Sequence, residues 1–458
     1  MVGDVRRVCG PMSTPGTTAR TTGPSADRAG AGRTGPRDVA VVGSGVVGLS
    51  TAWFLQARGV EVTVYDAEPE ARPASWGNAG WLTPGLTAPL PEPAVLRYGL
   101  RSITRPTSPV YVPVRPDPTL WRFLAGFARH CTDRRWRSSM QAYAGLNRRA
   151  LRAFDDLADA GATARPHPAR PFLACYRTTQ EATSMLEELA RIEAAGQRVH
   201  FEYLTGPQVR QAQPAVSDEV GAAVLLHGQR YLHPPQFLAS LEDAVRGAGG
   251  EQRPERVVDV DVEPNAAWVV TDTGRRHRHE AVVLATGSGL GGLARGFGVR
   301  RLVHPGRGYS FTVTGTDVPR DPVYFPHQRV ACTPLHEPVD GGEAPDGDAD
   351  LLRVAGMMEF RRAGEPLDER RLRAIVEAVR PFLPGVDLDA RWDEWVGSRP
   401  CTTDGLPLVG ATVSSRVFVA GGHGMWGVAL GPLTGQLLAE QITTGRTPDL
   451  LRPLDPLR

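Results

Sequence analysis

The chain reads as an α/β protein in which a Rossmann-like dinucleotide-binding domain is interleaved with an α+β domain that binds substrate. Three segments predict this. DVAVVGSGVVGLSTAWFLQARGVEVTVYD, from Asp38 to Asp66, is an apolar strand, a turn with Gly43, Gly45 and Gly48, an amphipathic helix and a second strand ending in an acid. EAVVLATG is a buried strand closed by Ala285, Thr286 and Gly287, small residues that let a ligand lie close to backbone at the strand's carboxyl end. VFVAGG followed by HGMWGVALGP and the helix LTGQLLAEQI again runs a strand through glycines into a helix, and brings the chain back to the sheet begun at Asp38.

Each glycine of the first turn has its own task. Gly43 permits the tight turn, Gly45 lets backbone approach a pyrophosphate together with Val46 and Val47 of the first helical turn, and Gly48 allows the helix to pack closely on the strand. The helix N-terminus adds free N–H groups and a positive dipole end. Asp66, about twenty residues beyond the first glycine, suits an acceptor for the hydroxyls of an adenosine ribose.

Along the chain, residues 1–37 are Gly, Pro, Ser, Thr, Ala and Arg with few large apolar side chains, and are expected to be a disordered leader or the product of an early start codon. No apolar stretch follows its arginines as in a secretory signal. Pro84 to Pro118 is proline-dense yet apolar and is expected to wrap the core and line a cavity. Helices are expected over Pro118–His130, about Arg135–Ala160 and Gln180–Ala195, with strands near Pro171–Tyr176, Arg256–Val262 and through Val299–Met358. This gives a dinucleotide domain over 38–85, 206–298 and 395–445 and a substrate domain over 86–205 and 299–394.

Composition removes several functions. The 458 residues carry a net charge of +2, with no basic excess that would call for a nucleic-acid partner. No apolar run reaches the roughly 20 residues of a membrane span. Cys9, Cys131, Cys175, Cys332 and Cys401 are scattered without CxxC spacing, so neither a zinc site nor a disulfide framework is expected, and a reducing, cytoplasmic location is. The sequence contains no lysine, which excludes a Schiff-base lysine and a P-loop lysine. The acidic stretch Glu337–Asp350 lacks EF-hand spacing and reads as a solvated insertion; no metal site is expected.

Four motifs carry a family resemblance: GSGVVGLSTAWFL, SWGNAGWLTPG at Ser75–Gly85, PGRGYSFTV at Pro305–Val313, and GSRPCTTDGLPLVG with GGHGMWG. In order and spacing they resemble the D-amino acid dehydrogenase branch of the FAD-dependent amine and amino-acid oxidoreductases, whose relatives include glycine oxidase, sarcosine oxidase and D-amino acid oxidase. The resemblance implies noncovalent FAD. It sets Ser75, Ala79, Gly80 and Trp81 beside the flavin, Gly424, Met425, Trp426, Gly427 and Val428 at its N1 and O2 edge, and Val257 at the adenine. Gly397 stands where sarcosine-oxidase relatives attach flavin to cysteine, and Cys401 falls on the wrong side of that alignment.

The same resemblance makes Arg399 the grip on a substrate carboxylate, a task that suits a bidentate guanidinium. It places the substrate amine on the carbonyl of Met425, and offers Tyr309 as a pocket-closing or carboxylate-binding residue. His423 is a candidate base, although none is required if the amine arrives neutral and the α-hydrogen leaves as hydride, and a histidine between glycines can instead orient the turn. His233 reads as structural. The expected reaction is oxidative deamination of a small amino acid, of D configuration, to a 2-oxo acid and ammonia. The alternatives are a glycine, sarcosine or hydroxyproline oxidase or dehydrogenase, and an electron-relay subunit. The expected electron acceptor is a quinone or electron carrier in preference to O2, with peripheral association at the inner face of a membrane as an option.

Overall fold

The computed structural model describes residues 35–67, 72–95, 107–335 and 350–458. Residues 1–34 of the leader, Tyr98 of the proline-dense segment and nearly all of the acidic insertion lie outside them. Asp350, its last residue, opens a strand.

The first sheet has six strands in the order β6 (Glu251–Arg253), β2 (Glu61–Tyr65), β1 (Asp38–Val42), β10 (Ala281–Leu284), β17 (Val417–Gly421) and β16 (Leu408–Ala411). All neighbours are parallel except the β16–β17 hairpin, so three distant segments of sequence meet in one sheet. Its central strands read as unbroken apolar runs because both faces are covered. Successive side chains alternate between them. Val39, Val41, Val62, Val64, Val283 and Ala420 join the core under the helices. Ala40, Val42, Val282, Leu284, Val417 and Val419 join a second core under a three-stranded meander, β7 (Val257–Glu263), β8 (Ala266–Thr271) and β9 (Arg276–His279).

Two helices on the first face define the dinucleotide end. They are α1 (Val46–Gln56), directly after the glycine turn, and α7 (Gly427–Thr444). The expectation of an amphipathic α1 fails. Eight of its eleven residues are buried, Ser50 and Thr51 among them, because α7 covers the side that a surface helix would give to solvent. The approach is glycine-dependent: a Cβ on Gly435 would stand 2.6 Å from the backbone of Ser50 and Thr51, and one on Gly431 would stand 3.0 Å from Val46.

The larger sheet runs β15 (Trp392–Thr402), β11 (Val303–Gly315), β14 (Asp350–Glu359), β13 (Val330–Leu335), β12 (Val323–Phe325), β3 (Phe172–Tyr176), β5 (Ala222–Leu226) and β4 (Phe201–Thr205), with Val110–Tyr111 pairing β14. Helix α6 (Glu369–Val379) closes its core through Leu372, Ile375 and Val376. The other long helices are α2 (Pro118–His130), α3 (Asp133–Asp159), α4 (Thr179–Ala194) and α5 (Pro234–Gly247). His233 caps α5 by accepting from the Gln236 N–H.

Strand pairing departs from the sequence division at two places. β5 lies in a segment assigned to the dinucleotide domain, and β15 straddles the boundary drawn at residue 395, yet both belong to the larger sheet. Residues 35–458 form one compact unit, since α3 packs against α7 across the two sheets' territories. Among the described residues no helix is long and apolar enough to cross a membrane.

The helix contact gives a test. Gly435→Ala should push α7 off α1 and destabilise the fold by about 2 kcal/mol, the scale of overpacking in a core. Thermal unfolding of the variant beside the wild type reads this; an unchanged midpoint would mean that the two helices do not meet at Gly435.

Candidate active site

The dinucleotide end is built by backbone. Gly43 has φ +112°, and a Cβ there would lie 2.5 Å from the Ala285 carbonyl oxygen; a Cβ on Gly48 would lie 1.9 Å from the Gly43 oxygen. These two glycines are therefore consumed by packing the turn against β1 and β10. Gly45 is different: its nearest neighbours are Ser75 Oγ at 3.7 Å and Pro73 at 3.8 Å, so the space beside it is open to a ligand. No side chain caps α1 at Gly45 or α7 at Trp426. The Val46 N–H finds Ser75 Oγ at 3.3 Å. Thr286 Oγ is buried at the carboxyl end of β10 without a partner. Uncapped helix starts and an orphaned hydroxyl around an open glycine fit the pyrophosphate and flavin of FAD. The Asp66 carboxylate accepts from the Ser44 N–H and hydroxyl at 2.6 and 2.5 Å, which ties the end of β2 to the glycine turn. Val257 starts β7 and packs on the core beneath the meander.

A cavity of about 1370 Å³ opens beyond Ala79 and Trp81, with Arg399, Met425 and Trp426 in its wall. Described residues of the proline-dense segment, among them Leu86, Ala88, Leu90 and Val112, line it as expected. Two tryptophans are fixed there by their ring nitrogens. Trp81 donates to Thr333 Oγ at 2.8 Å, and Thr333 donates to the Ala79 carbonyl; Trp426 donates to the Ala88 carbonyl at 2.7 Å. Gly80 has φ +74°, and a Cβ there would lie 2.0 Å from the Leu232 oxygen.

Arg399 projects from β15 across β11. A Cβ on Gly308 would stand 2.1 Å from its Nη2, so the guanidinium lies flat on the strand only because residue 308 has no side chain. Its Nη1 donates to the Met357 carbonyl at 2.9 Å. That carbonyl is aimed by Met357's positive φ of 61°, a conformation that costs a methionine about 1–3 kcal/mol. No carboxylate pairs with Arg399 among the described residues. Desolvation pushes its pKa down, yet an arginine stays charged, and a half-buried cation without an anion is poised to receive one. Gly308 and Met357 escaped the sequence reading, although PGRGYSFTV contains the first of them.

Two candidates are placed elsewhere. Tyr309 is 1% exposed within the larger sheet's core, and its hydroxyl donates to Glu359 at 2.6 Å; Glu359 lies between Arg307, Arg361 and Arg371. Tyr309 therefore supports β11 from behind and does not face the cavity. His423 is buried with Nε2 at 2.9 Å from Thr434 Oγ of α7, and burial lowers its pKa from 6.5 to about 4. It fastens the glycine turn to the last helix, outside the walls of the large cavity. Cys401 is buried, with its thiol pushed up to about 12, and the Trp395 indole lies 1.7 Å from where a Gly397 Cβ would be. Neither position offers a nucleophile to a flavin.

The model of the family described as DAO, FAD dependent oxidoreductase, matches residues 38–441. The chain belongs to that family, and it is FAD-dependent. Among solved structures, glycine oxidase from Geobacillus kaustophilus is similar with a TM-score of 0.68 at 20% identity, covering 93% of this chain and 99% of that one. Glycine oxidase from Bacillus cereus ATCC 14579 gives 0.65 at 20% identity, over 90% and 96%. Iminodiacetate oxidase from Chelativorans sp. BNC1 gives 0.65 at 17%, over 91% and 98%. These likenesses establish a shared fold.

His423 predicts a pH dependence of stability. Above pH 6.5 the ring is neutral folded and unfolded. Below it the unfolded chain takes a proton that the fold excludes, so stability falls as pH drops from about 6.5 towards about 4. Urea unfolding between pH 7 and pH 5 should show a shallower decline in His423→Asn than in the wild type. Parallel declines would show that His423 is not held neutral.

Proposed function

We propose that the protein is a dehydrogenase that oxidises an α-amino acid, of D configuration, to an imine that water hydrolyses to a 2-oxo acid and ammonia. The observation that carries this reading is Arg399: a fixed guanidinium in a cavity wall, with one carbonyl partner and no carboxylate among the described residues. It would grip the substrate carboxylate through two N–H donors and so orient the α-carbon. Met425, in the same wall, would accept an N–H of the substrate amine through its carbonyl and so orient it, and loss of the α-hydrogen then needs the neutral amine, whose lone pair drives it. FAD, held by the Gly43–Gly48 turn, Ser75, the Ala79–Trp81 segment and the start of α7, supplies the two-electron acceptor. His423 holds no proton for the reaction, being buried and bonded to Thr434. The D configuration rests on the motif resemblance, and the noncovalent cofactor is supported by Gly397 and by the inert thiol of Cys401.

Arg399→Lys should retain yellow colour while kcat/KM for D-amino acids falls by about 2 kcal/mol, roughly thirtyfold, since a point charge cannot reproduce a bidentate grip. Steady-state assays with a dye acceptor measure it. Near-normal kinetics would remove Arg399 from the site.

The acceptor is proposed to be a quinone or electron carrier. Transfer of the first electron to O2 makes a superoxide-like anion that a fixed cation stabilises; the chain has no lysine to provide one, and its fixed guanidinium, Arg399, is assigned to the substrate carboxylate. Stopped-flow reoxidation of substrate-reduced enzyme should therefore be much faster with a quinone analogue than in air-saturated buffer. Comparable rates would make the protein an oxidase.

A further inference from the structure

The cavity continues well past Arg399, and its far end is polar in a particular way. Tyr176, at the end of β3, is 3% exposed and lines the cavity, and its hydroxyl has no hydrogen-bond partner. Glu188 of α4 lines the same end, and among the described residues no hydrogen bond or ion pair engages its carboxylate. Two arginines act on this carboxylate through their charge: Arg191, which pairs with Glu92 and lies over the Trp136 ring, and Arg329, which has partners of its own. What the cavity wall still offers is the Glu188 carboxylate, with the buried hydroxyl of Tyr176 near it. Tyr324 stands between this end and the flavin side, edge-on to Trp81 with ring centroids 5.3 Å apart.

Sheet register gives the span. The Arg399 guanidinium reaches the Met357 carbonyl on β14, whose neighbour Gly356 pairs with Val330 of β13. The next residue, Ala331, pairs with Tyr324 of β12. Two strand spacings across and two residues along separate the guanidinium's anchor from Tyr324, roughly 12 Å. Alanine or glycine gripped by its carboxylate stops far short of that distance. A lysine-length side chain, with a hydrogen bond of about 2.9 Å at each end, covers it.

We propose that this end of the cavity is a recognition site for the substrate side chain: Glu188, with Tyr176 and Tyr324 beside it, accepts the terminal ammonium or guanidinium of an amino acid whose α-carboxylate Arg399 holds. The substrate is then a long, cationic amino acid and not the small one that the sequence suggests. The inference rests on the amino-acid reading above. Burial and the neighbouring Glu92 push the Glu188 carboxyl up to about 7, so its charge is developed above neutral pH.

The test uses two unreactive probes at pH 8, followed through the absorbance of the bound flavin in the holoenzyme. 6-Aminohexanoate carries a carboxylate and a terminal ammonium at lysine spacing; hexanoate lacks the ammonium. The aminated probe should bind roughly tenfold or more tightly, as for a desolvated charged hydrogen bond. Glu188→Gln should abolish that difference while leaving hexanoate affinity unchanged, which also shows the variant to be folded. Equal binding of the two probes, or a difference that survives Glu188→Gln, overturns the proposal. Turnover of D-lysine and D-norleucine separates the two readings: an intact probe difference without turnover of either supports the recognition site and retires the oxidation chemistry.

Discussion

A guanidinium with no carboxylate partner among the described residues, set into the wall of a largely apolar cavity, is the constraint around which this molecule is arranged. Left alone it is expensive, because one carbonyl replaces only part of the water it has lost. The surroundings hold it there nonetheless. Gly308 clears its path over β11, and Met357 adopts a left-handed conformation that aims its carbonyl at Nη1. Behind β11, Tyr309 and Glu359, with Arg307, Arg361 and Arg371, stiffen the strand from the side that substrate never reaches. Such a group is stable in the fold and unsatisfied in its charge, which is the condition for binding an anion in one orientation.

The opposite pole is built without charge. Uncapped starts of α1 and α7, the open space at Gly45 and the lone hydroxyl of Thr286 offer N–H and O–H donors to a pyrophosphate and a flavin. These donors are kept together by α1 and α7 meeting at Gly431 and Gly435. The two tryptophans pinned at Thr333 and Ala88 line the cavity with little freedom to rotate.

Much of this was legible in the sequence where function is carried by backbone. The glycine spacing, the strand AVVL and the terminal strand–glycine–helix unit each announce a site made of N–H groups, and the structure assembles all three in one sheet. Arg399 was legible through its motif. What was not legible depended on which face of a strand points where. Tyr309 and Gly308 are neighbours on β11, and the alternation of side chains sends the tyrosine to Glu359 and leaves the glycine beneath Arg399. His423 was readable either as a base or as a residue that orients its glycine turn; the partner that decides for the second, Thr434, lies eleven residues on, inside a helix whose start the sequence placed too late. The domain boundaries failed at β5 and β15 because strand pairing crosses them, and no local pattern records a partner. Glu188 and Tyr176 were invisible for the same reason, being an ordinary helix acid and a strand terminus until the fold brings them to one wall.

The account stands or falls on the carboxylate grip, and binding tests it without requiring turnover. Benzoate, an unreactive carboxylate, should titrate into the yellow holoprotein with a saturable change in flavin absorbance. In Arg399→Met, with the flavin retained, its affinity should fall at least about tenfold, as for a lost charged hydrogen bond. Equal benzoate affinity in the two proteins would contradict the assignment and with it the function built upon it.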